Sequence, residues 1–242
     1  MRQKGFIKGA GILYENSQVV VIATGANGSR KSRNVKTGHM AQIWILVKAV
    51  DPVTAVKTGL DKAVCFNCPY RGDEGLDRAC YVTTYDLARA PGSIWKAYRR
   101  NRYEHITTSG QIAKLFGDAA VRFGAYGEPV LIPLPTIKAI TEVAKTWTGY
   151  THQWKRVKYL AYRRYLMAST SETDYQQAQS LGWRTFSVSA TTLQGQIVCP
   201  ASAERGHKLS CEECGLCAGT TRVARSVQIA PHGSGAKYAA AA

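Results

Sequence analysis

The chain has no long hydrophobic stretch. Nowhere in its 242 residues does an apolar run approach the ~20 residues that a membrane-spanning helix needs, so no membrane partner is expected. The basic start, MRQKGFIKGAGILYENSQVVVIATG, lacks an apolar core of secretion-signal length, and its run from Val19 to Ala23 is only strand-sized. There is no G-x-x-x-x-G-K-[ST] phosphate loop, no H-E-x-x-H zinc-protease helix and no Ser-His-Asp nucleophile pattern, which removes three common routes to hydrolysis. Acidic residues are scarce, with 16 Asp and Glu against 32 Lys and Arg. The cysteine count is odd, at seven, so complete disulfide pairing is excluded. Without an export signal the expected compartment is a reducing cytoplasm, where clustered cysteines more often bind metal than crosslink.

The cysteines that are present fall into two groups and none is left over. Cys65, Cys68 and Cys80 are spaced C-x2-C-x11-C; Cys199, Cys211, Cys214 and Cys217 are spaced C-x11-C-x2-C-x2-C. Four thiolates can close a metal site, whereas three leave one position open. Zinc sites usually take two ligand pairs separated by a long loop. The tight run from Cys211 to Cys217 is closer to iron–sulfur ligation, in which C-x2-C-x2-C is joined by a distant cysteine followed by proline, here Cys199-Pro200. Gly215 and Gly219 ease the turning of the short run. A 4Fe-4S cluster is the expected cofactor, with zinc as the alternative metal, because spacing identifies ligands rather than ions. His207, between Cys199 and Cys211, is a substitute ligand for the second group.

The net charge of +16 predicts attraction to polyanions, nucleic acid first. Two stretches interleave basic and aromatic side chains, Trp95-Lys-Ala-Tyr-Arg-Arg-Asn-Arg-Tyr103 and Trp154-Lys-Arg-Val-Lys-Tyr-Leu-Ala-Tyr-Arg-Arg-Tyr165. Lys96, Arg99, Arg100, Arg102, Lys155 and Arg156 are the candidate phosphate contacts, with the rings available for base stacking. Aromatic residues at helical spacing also serve as ordinary core.

Apolar content of 45% suffices for a packed core, and the length suits one domain. The pattern predicts strands at Gln18–Ala23 and Met40–Val50, then a short helix from Asp51-Pro52 to Lys57. The first cysteine loop follows, with Pro69, Gly72 and Gly75. Helices are expected over Pro91–Arg102 and Ser109–Phe116. From Ala119 the chain alternates: strand Ala119–Ala125, helix Leu134–Trp147, strand Gly149–Trp154, helix Val157–Arg164, strand Tyr165–Ala168, helix Ser171–Leu181, strands Trp183–Val188 and Ser226–Ala230. The expected fold is therefore α/β, a largely parallel sheet or incomplete (β/α) barrel. It has a β-rich N-terminal part and a C-terminal cysteine-rich metal-binding segment. Residues 1–235 form the domain, with the cysteine-rich segment at 199–217, and residues 236–242 form a loose tail. In such folds chemistry sits at strand carboxyl ends. Four polar segments fall there: Gly127-Glu128-Pro129, Thr151-His152-Gln153, Ser169-Thr170-Ser171 and Ser187 to Thr192. Glu128 and His152 are the candidate catalytic residues. Read singly, each is an ordinary turn carboxylate or half-buried histidine.

Several segments together resemble a known family: Asn34-Val-Lys-Thr-Gly-His-Met40, Cys65-Phe-Asn-Cys-Pro-Tyr-Arg71, Ala79-Cys-Tyr-Val82, Arg122-Phe-Gly-Ala-Tyr-Gly-Glu-Pro129, Trp147-Thr-Gly-Tyr-Thr-His-Gln-Trp154 and the terminal Cys-x2-Cys-Gly-Leu-Cys. Over roughly residues 34–232 the chain resembles uncharacterised bacteriophage and prophage proteins related to the phage "gene product eighty-eight" domain. That resemblance implies the cytoplasm of an infected or lysogenic bacterial host. A second likeness is to radical S-adenosylmethionine enzymes. Those hold an open cluster on three cysteines, the third beside an aromatic as in Cys80-Tyr81, and carry after the next strand a Gly-Gly-Glu-Pro segment that meets the cofactor's amino group, to which Tyr126-Gly127-Glu128-Pro129 is similar. It implies S-adenosylmethionine as a cofactor, Gly127, Glu128 and Pro129 as its contacts, and a reductant protein as partner. The C-x2-C-x11-C spacing departs from the C-x3-C-x2-C of those enzymes. Two functions compete on this reading: an iron–sulfur enzyme acting on nucleic acid, and a non-catalytic zinc- or cluster-stabilised nucleic-acid-binding protein of phage replication or host takeover. Neither reading determines an oligomeric state.

Overall fold

A computed structural model describes residues 5–28, 34–72, 78–206, 209–232 and Ala236. Gly75 of the first cysteine loop, the substitute-ligand candidate His207 and the tail beyond Ala236 lie outside the described residues. Near the N-terminus β1 (Gly11–Glu15), β2 (Val19–Thr24) and β3 (Ala41–Val47) form an antiparallel meander. Three helices follow, α1 (Pro52–Lys57), α2 (Lys62–Cys65) and α3 (Thr84–Tyr98). The short strand β4 (Glu104–His105) then pairs parallel to β1. Helix α4 (Ser109–Phe116) leads to β5 (Ala120–Tyr126), and α5 (Leu134–Val143) to β6 (Thr146–Thr151). A 3-10 segment at Val157–Arg164 precedes β7 (Met167–Thr170), and α6 (Tyr175–Ser180) precedes β8 (Thr185–Val188). The chain ends with β9 (Gln196–Val198), α7 (Cys211–Cys214) and β10 (Ser226–Ile229).

All ten strands join one sheet in the order β4-β1-β2-β3-β5-β6-β7-β8-β10-β9. Every pairing from β3 to β9 is parallel. From β3 to β8 the neighbours follow chain order, so the loops that leave these strands gather along one edge of the sheet. The mixed α/β fold and its β-rich start are as the sequence pattern predicts. Among the described residues no helix is long and apolar enough to cross a membrane.

Alternation along the strands divides the packing. Val121 and Phe123 of β5 join Ile112, Leu115 and Phe116 of α4 and Ile137 and Ile140 of α5 in the main core. Met167, Phe186, Val227 and Ile229 form a second cluster with Cys199 and Cys217. Residues two apart on a strand share a face. Arg122, paired with Thr148 of β6, therefore lies on the opposite face from Val121 and Phe123.

Several element boundaries differ from expectation, β6 (Thr146–Thr151 rather than Gly149–Trp154) and three helices among them. Helix α3 starts at Thr84 rather than Pro91, because Thr83 and Asp86 form a reciprocal capping box and Pro91 sits inside the helix. Helix α5 stops at Val143, so Trp147 belongs to β6, where it pairs with Val121. Helix α6 starts at Tyr175, although Ser171 does bond Asp174 Oδ1 through its backbone N–H at 2.8 Å.

Candidate metal centres

The first cysteine group is assembled around a buried carboxylate. Asp51 caps α1, accepting from the Val53 and Thr54 amides at 3.1 and 3.2 Å, and the chain turns into α2, which carries Cys65. Asp61, 1% exposed, receives Arg71 Nε at 2.9 Å and Arg78 Nη1 at 3.3 Å. Arg78 Nη1 also donates to the Arg71 carbonyl at 2.9 Å. These contacts tie the loop after Cys68 and the segment before Cys80 to the start of α2. Phe66 adopts φ 50, which folds the chain back so that the Cys68 amide donates to the Cys65 carbonyl at 3.1 Å. Burial pushes the Cys65 thiol well up, and the neighbouring Cys68 and Cys80 push it further. Burial raises Cys80 too, while Arg78 opposes the rise. Cys68 and Cys80 are thus electrostatic neighbours of Cys65.

Strand carboxyl ends close the site. After β5, Gly127 adopts φ 82, and a Cβ there would sit 2.7 Å from Ile45 Cβ and 2.8 Å from its carbonyl oxygen. Only glycine fits against β3 at this point. The turn directs the Glu128 amide to the Val64 carbonyl at 2.7 Å, bringing Glu128 beside α2. Its carboxylate is buried and fully engaged. Oε2 accepts from Thr151 Oγ1 at 2.7 Å; Oε1 accepts from the His152 amide at 3.1 Å and lies 2.9 Å from His152 Nδ1. Pro129 opens a 3-10 turn, Pro129–Leu131. A ring nitrogen of His152, a Glu128 oxygen and Cys68 Sγ all lie within 4.8 Å of one another. The Tyr70 ring meets the imidazole edge-on at 5.4 Å between centroids. Burial alone would lower the His152 pKa, but Cys68 and then Glu128 outweigh it and hold it well above its ordinary value.

Among the described residues, several buried polar atoms around these cysteines meet no hydrogen-bond partner: Arg78 Nε and Nη2, Tyr126 Oη and His152 Nε2. Tyr126 is the last residue of β5, and Cys65, Arg78, Asp61 and Cys80 all act on its hydroxyl electrostatically. Burial pushes the Tyr70 phenol up to about 12, with Cys68 adding to it. Arg78 and Tyr126 are functional candidates that the spacing analysis misses. The available signal was position, since one lies two residues before Cys80 and the other directly before Gly127.

The second group lies against the other face of the sheet. Cys199, Cys211, Cys214 and Cys217 line one small pocket with Thr148 and Tyr150 of β6, Pro200 and Val227. Ser210 and Glu213 form a capping box around α7, and Gly215 ends it in the left-handed conformation. The Cys211 amide donates to the Lys36 carbonyl at 2.7 Å, and the His39 amide to Glu212 Oε2 at 2.7 Å. The Asn34–His39 turn therefore holds the cysteine segment in place. Burial pushes the Cys211 thiol up to about 11, with Lys36 opposing. Burial raises Cys217 as well, and a hydrogen bond from Tyr150 counters it.

One residue stands between the groups. Arg122 of β5 donates to the Tyr81 hydroxyl at 2.6 Å, next to Cys80. It is also an electrostatic neighbour of Tyr150 and Cys211.

The basic stretches separate. Lys96 lies in α3, and Arg99, Arg100 and Arg102 follow it toward β4 at the sheet edge; Arg102 Nε donates to the Gly5 carbonyl at 3.0 Å. Lys155 and Arg156 follow β6, beside the first cysteine group. Arg156 lies over the Phe66 ring at 5.3 Å and reaches Asn67 Oδ1 at 3.5 Å. Lys155 pairs with Asp174 at 3.3 Å. Comparison with protein-family models, with curated proteins and with solved structures finds no match.

Proposed function

We propose that this chain is an iron–sulfur enzyme of the radical S-adenosylmethionine-like kind. In this reading Cys65, Cys68 and Cys80 hold its reactive cluster at the carboxyl ends of the parallel strands. Cys199, Cys211, Cys214 and Cys217 hold a second, closed cluster. The observation that carries it is the set of buried donors on Arg78 (Nε and Nη2) and Tyr126, which neighbour the first cysteine group electrostatically and find no acceptor among the described residues. A thiolate-held cluster offers sulfur acceptors for such donors, and a cationic guanidinium offsets its negative charge. Among the described residues, the one set of three ligand-type side chains whose ligand atoms lie within 4.8 Å of one another is Cys68, Glu128 and His152. The preference for a cluster over zinc rests on the cysteine spacing, C-x2-C-x2-C with a distant Cys-Pro.

S-adenosylmethionine would be the co-substrate, a reductant protein the electron donor, and a polyanion, nucleic acid foremost, the substrate. Lys155 and Arg156 beside the first cysteine group support the last of these. The test is anaerobic purification followed by iron and sulfide analysis and an absorbance spectrum. A broad band at about 400 nm is expected, with Cys80→Ala losing the first centre and keeping the second. Reductive cleavage of S-adenosylmethionine by the wild-type protein, and not by Cys80→Ala, completes it. A colourless protein carrying zinc would overturn the enzyme reading. It would favour the alternative suggested by the net charge of +16: a non-catalytic nucleic-acid-binding protein stabilised by metal, serving a phage in its host's cytoplasm.

A further inference from the structure

We infer that His152 is the fourth protein ligand of the first centre, binding through Nε2, with Glu128 as the residue that orients it. The argument starts from Glu128. Both its oxygens are taken, Oε2 by Thr151 Oγ1 at 2.7 Å and Oε1 by the His152 amide at 3.1 Å. With Nδ1 at 2.9 Å from Oε1, the carboxylate accepts the Nδ1 proton. That fixes the ring and leaves Nε2 as the coordinating nitrogen. A carboxylate on the far nitrogen of a ligating histidine is the arrangement that raises its basicity and sets its direction.

Among the described residues, buried Nε2 meets no partner at hydrogen-bond geometry, and the side chain that interacts with the ring from close by is Cys68. A buried ring nitrogen left unpaired carries a desolvation cost, and ligation removes that cost. Tyr70 packs edge-on against the same ring and limits its rotation. Glu128 itself is thereby an orienting group rather than a ligand or a free amine receptor. The inference rests on the reading that Cys65, Cys68 and Cys80 hold a cluster. It adds that a co-substrate must take the fourth position from an imidazole.

The experiment is nitrogen hyperfine spectroscopy on the reduced, anaerobically prepared full-length protein, with histidine alone labelled with 15N. A strongly coupled nitrogen that changes isotope pattern on labelling is expected, absent in His152→Ala and in His152→Cys. The cysteine variant should retain full iron, since a thiolate replaces the imidazole. Glu128→Gln should keep the coupling but lose iron to a chelator about 10-fold faster. Full iron at the first centre with no coupled histidine nitrogen would overturn the inference while leaving the cluster intact. Unchanged iron content in Cys80→Ala would instead remove the cluster reading itself, and iron analysis alone reveals that outcome.

Discussion

Asp61 shows how a single side chain organises the loops that carry the first cysteine group. It is nearly inaccessible and is bound by two guanidinium groups, from Arg71 and Arg78. Burying three charged groups is costly, and the arrangement persists because each neutralises another. Removing the carboxylate strands two cations beside three thiols. Asp61→Ala should therefore cost about 3 kcal/mol in denaturant unfolding and lower the iron bound per chain. An unchanged midpoint would mean that the loop holds its shape without Asp61. At Gly127 the constraint is steric. The Gly127→Ala side chain would collide with Ile45 at a positive φ, so a loss of about 2 kcal/mol is expected, with Glu128 drawn away from the Val64 carbonyl. The seven cysteines, Glu128 and His152 were legible as candidates because their spacing and strand-end positions carry information. Asp61, Arg78 and Tyr126 were not, because the contacts that give them a role span loops whose course no local pattern dictates.

Periodicity of whole elements was read well where one rule acted alone. Asp51-Pro52 states a helix start in two adjacent residues, and the helix begins there. It was read poorly where two rules competed. Pro91 is a strong helix-start signal by itself, but the Thr83–Asp86 capping box lies a full two turns earlier and the helix tolerates the proline inside. Trp147 continues the apolar spacing of α5, yet it pairs with Val121 in the sheet, and tertiary pairing overrides helical spacing. The N-terminal turn and α7 make the most consequential contact between elements, linking Asn34–His39 to the last cysteines. Glu212 Oε2 accepts from the His39 amide at 2.7 Å, and a Cβ on Gly38 would lie 2.7 Å from that same oxygen. Glu212→Ala should cost about 1.5 kcal/mol, the worth of a charge-assisted bond. Gly38→Ala should weaken the same contact by crowding it. Loss of iron from the second centre in either variant, with the first unaffected, is the expected readout; equal loss from both would show that the two centres are not independently supported.

At the scale of the molecule, an excess of 16 positive charges predicts attraction to nucleic acid, and the placement of those charges sharpens the prediction. Counterion release makes such binding fall with salt, and each phosphate contact removed should flatten the log–log slope by about one unit. The two basic stretches occupy different places, one at the α3–β4 edge and one beside the first centre. General attraction would weigh them equally. Recognition of a strand led to the reactive centre would not. Binding of single-stranded DNA and RNA at low and high salt should therefore be compared for Lys155→Ala with Arg156→Ala, and for Arg99→Ala with Arg100→Ala. Each pair removes two charges, so long-range attraction falls equally in both. We expect the Lys155 and Arg156 pair to lose the larger share of affinity, because Arg156 is held over Phe66 between Cys65 and Cys68, where a bound strand would meet the proposed cluster. Equal losses would leave nucleic acid as a non-specific partner of the surface, and greater loss at Arg99 and Arg100 would move the interface to the β4 edge, away from the metal centres.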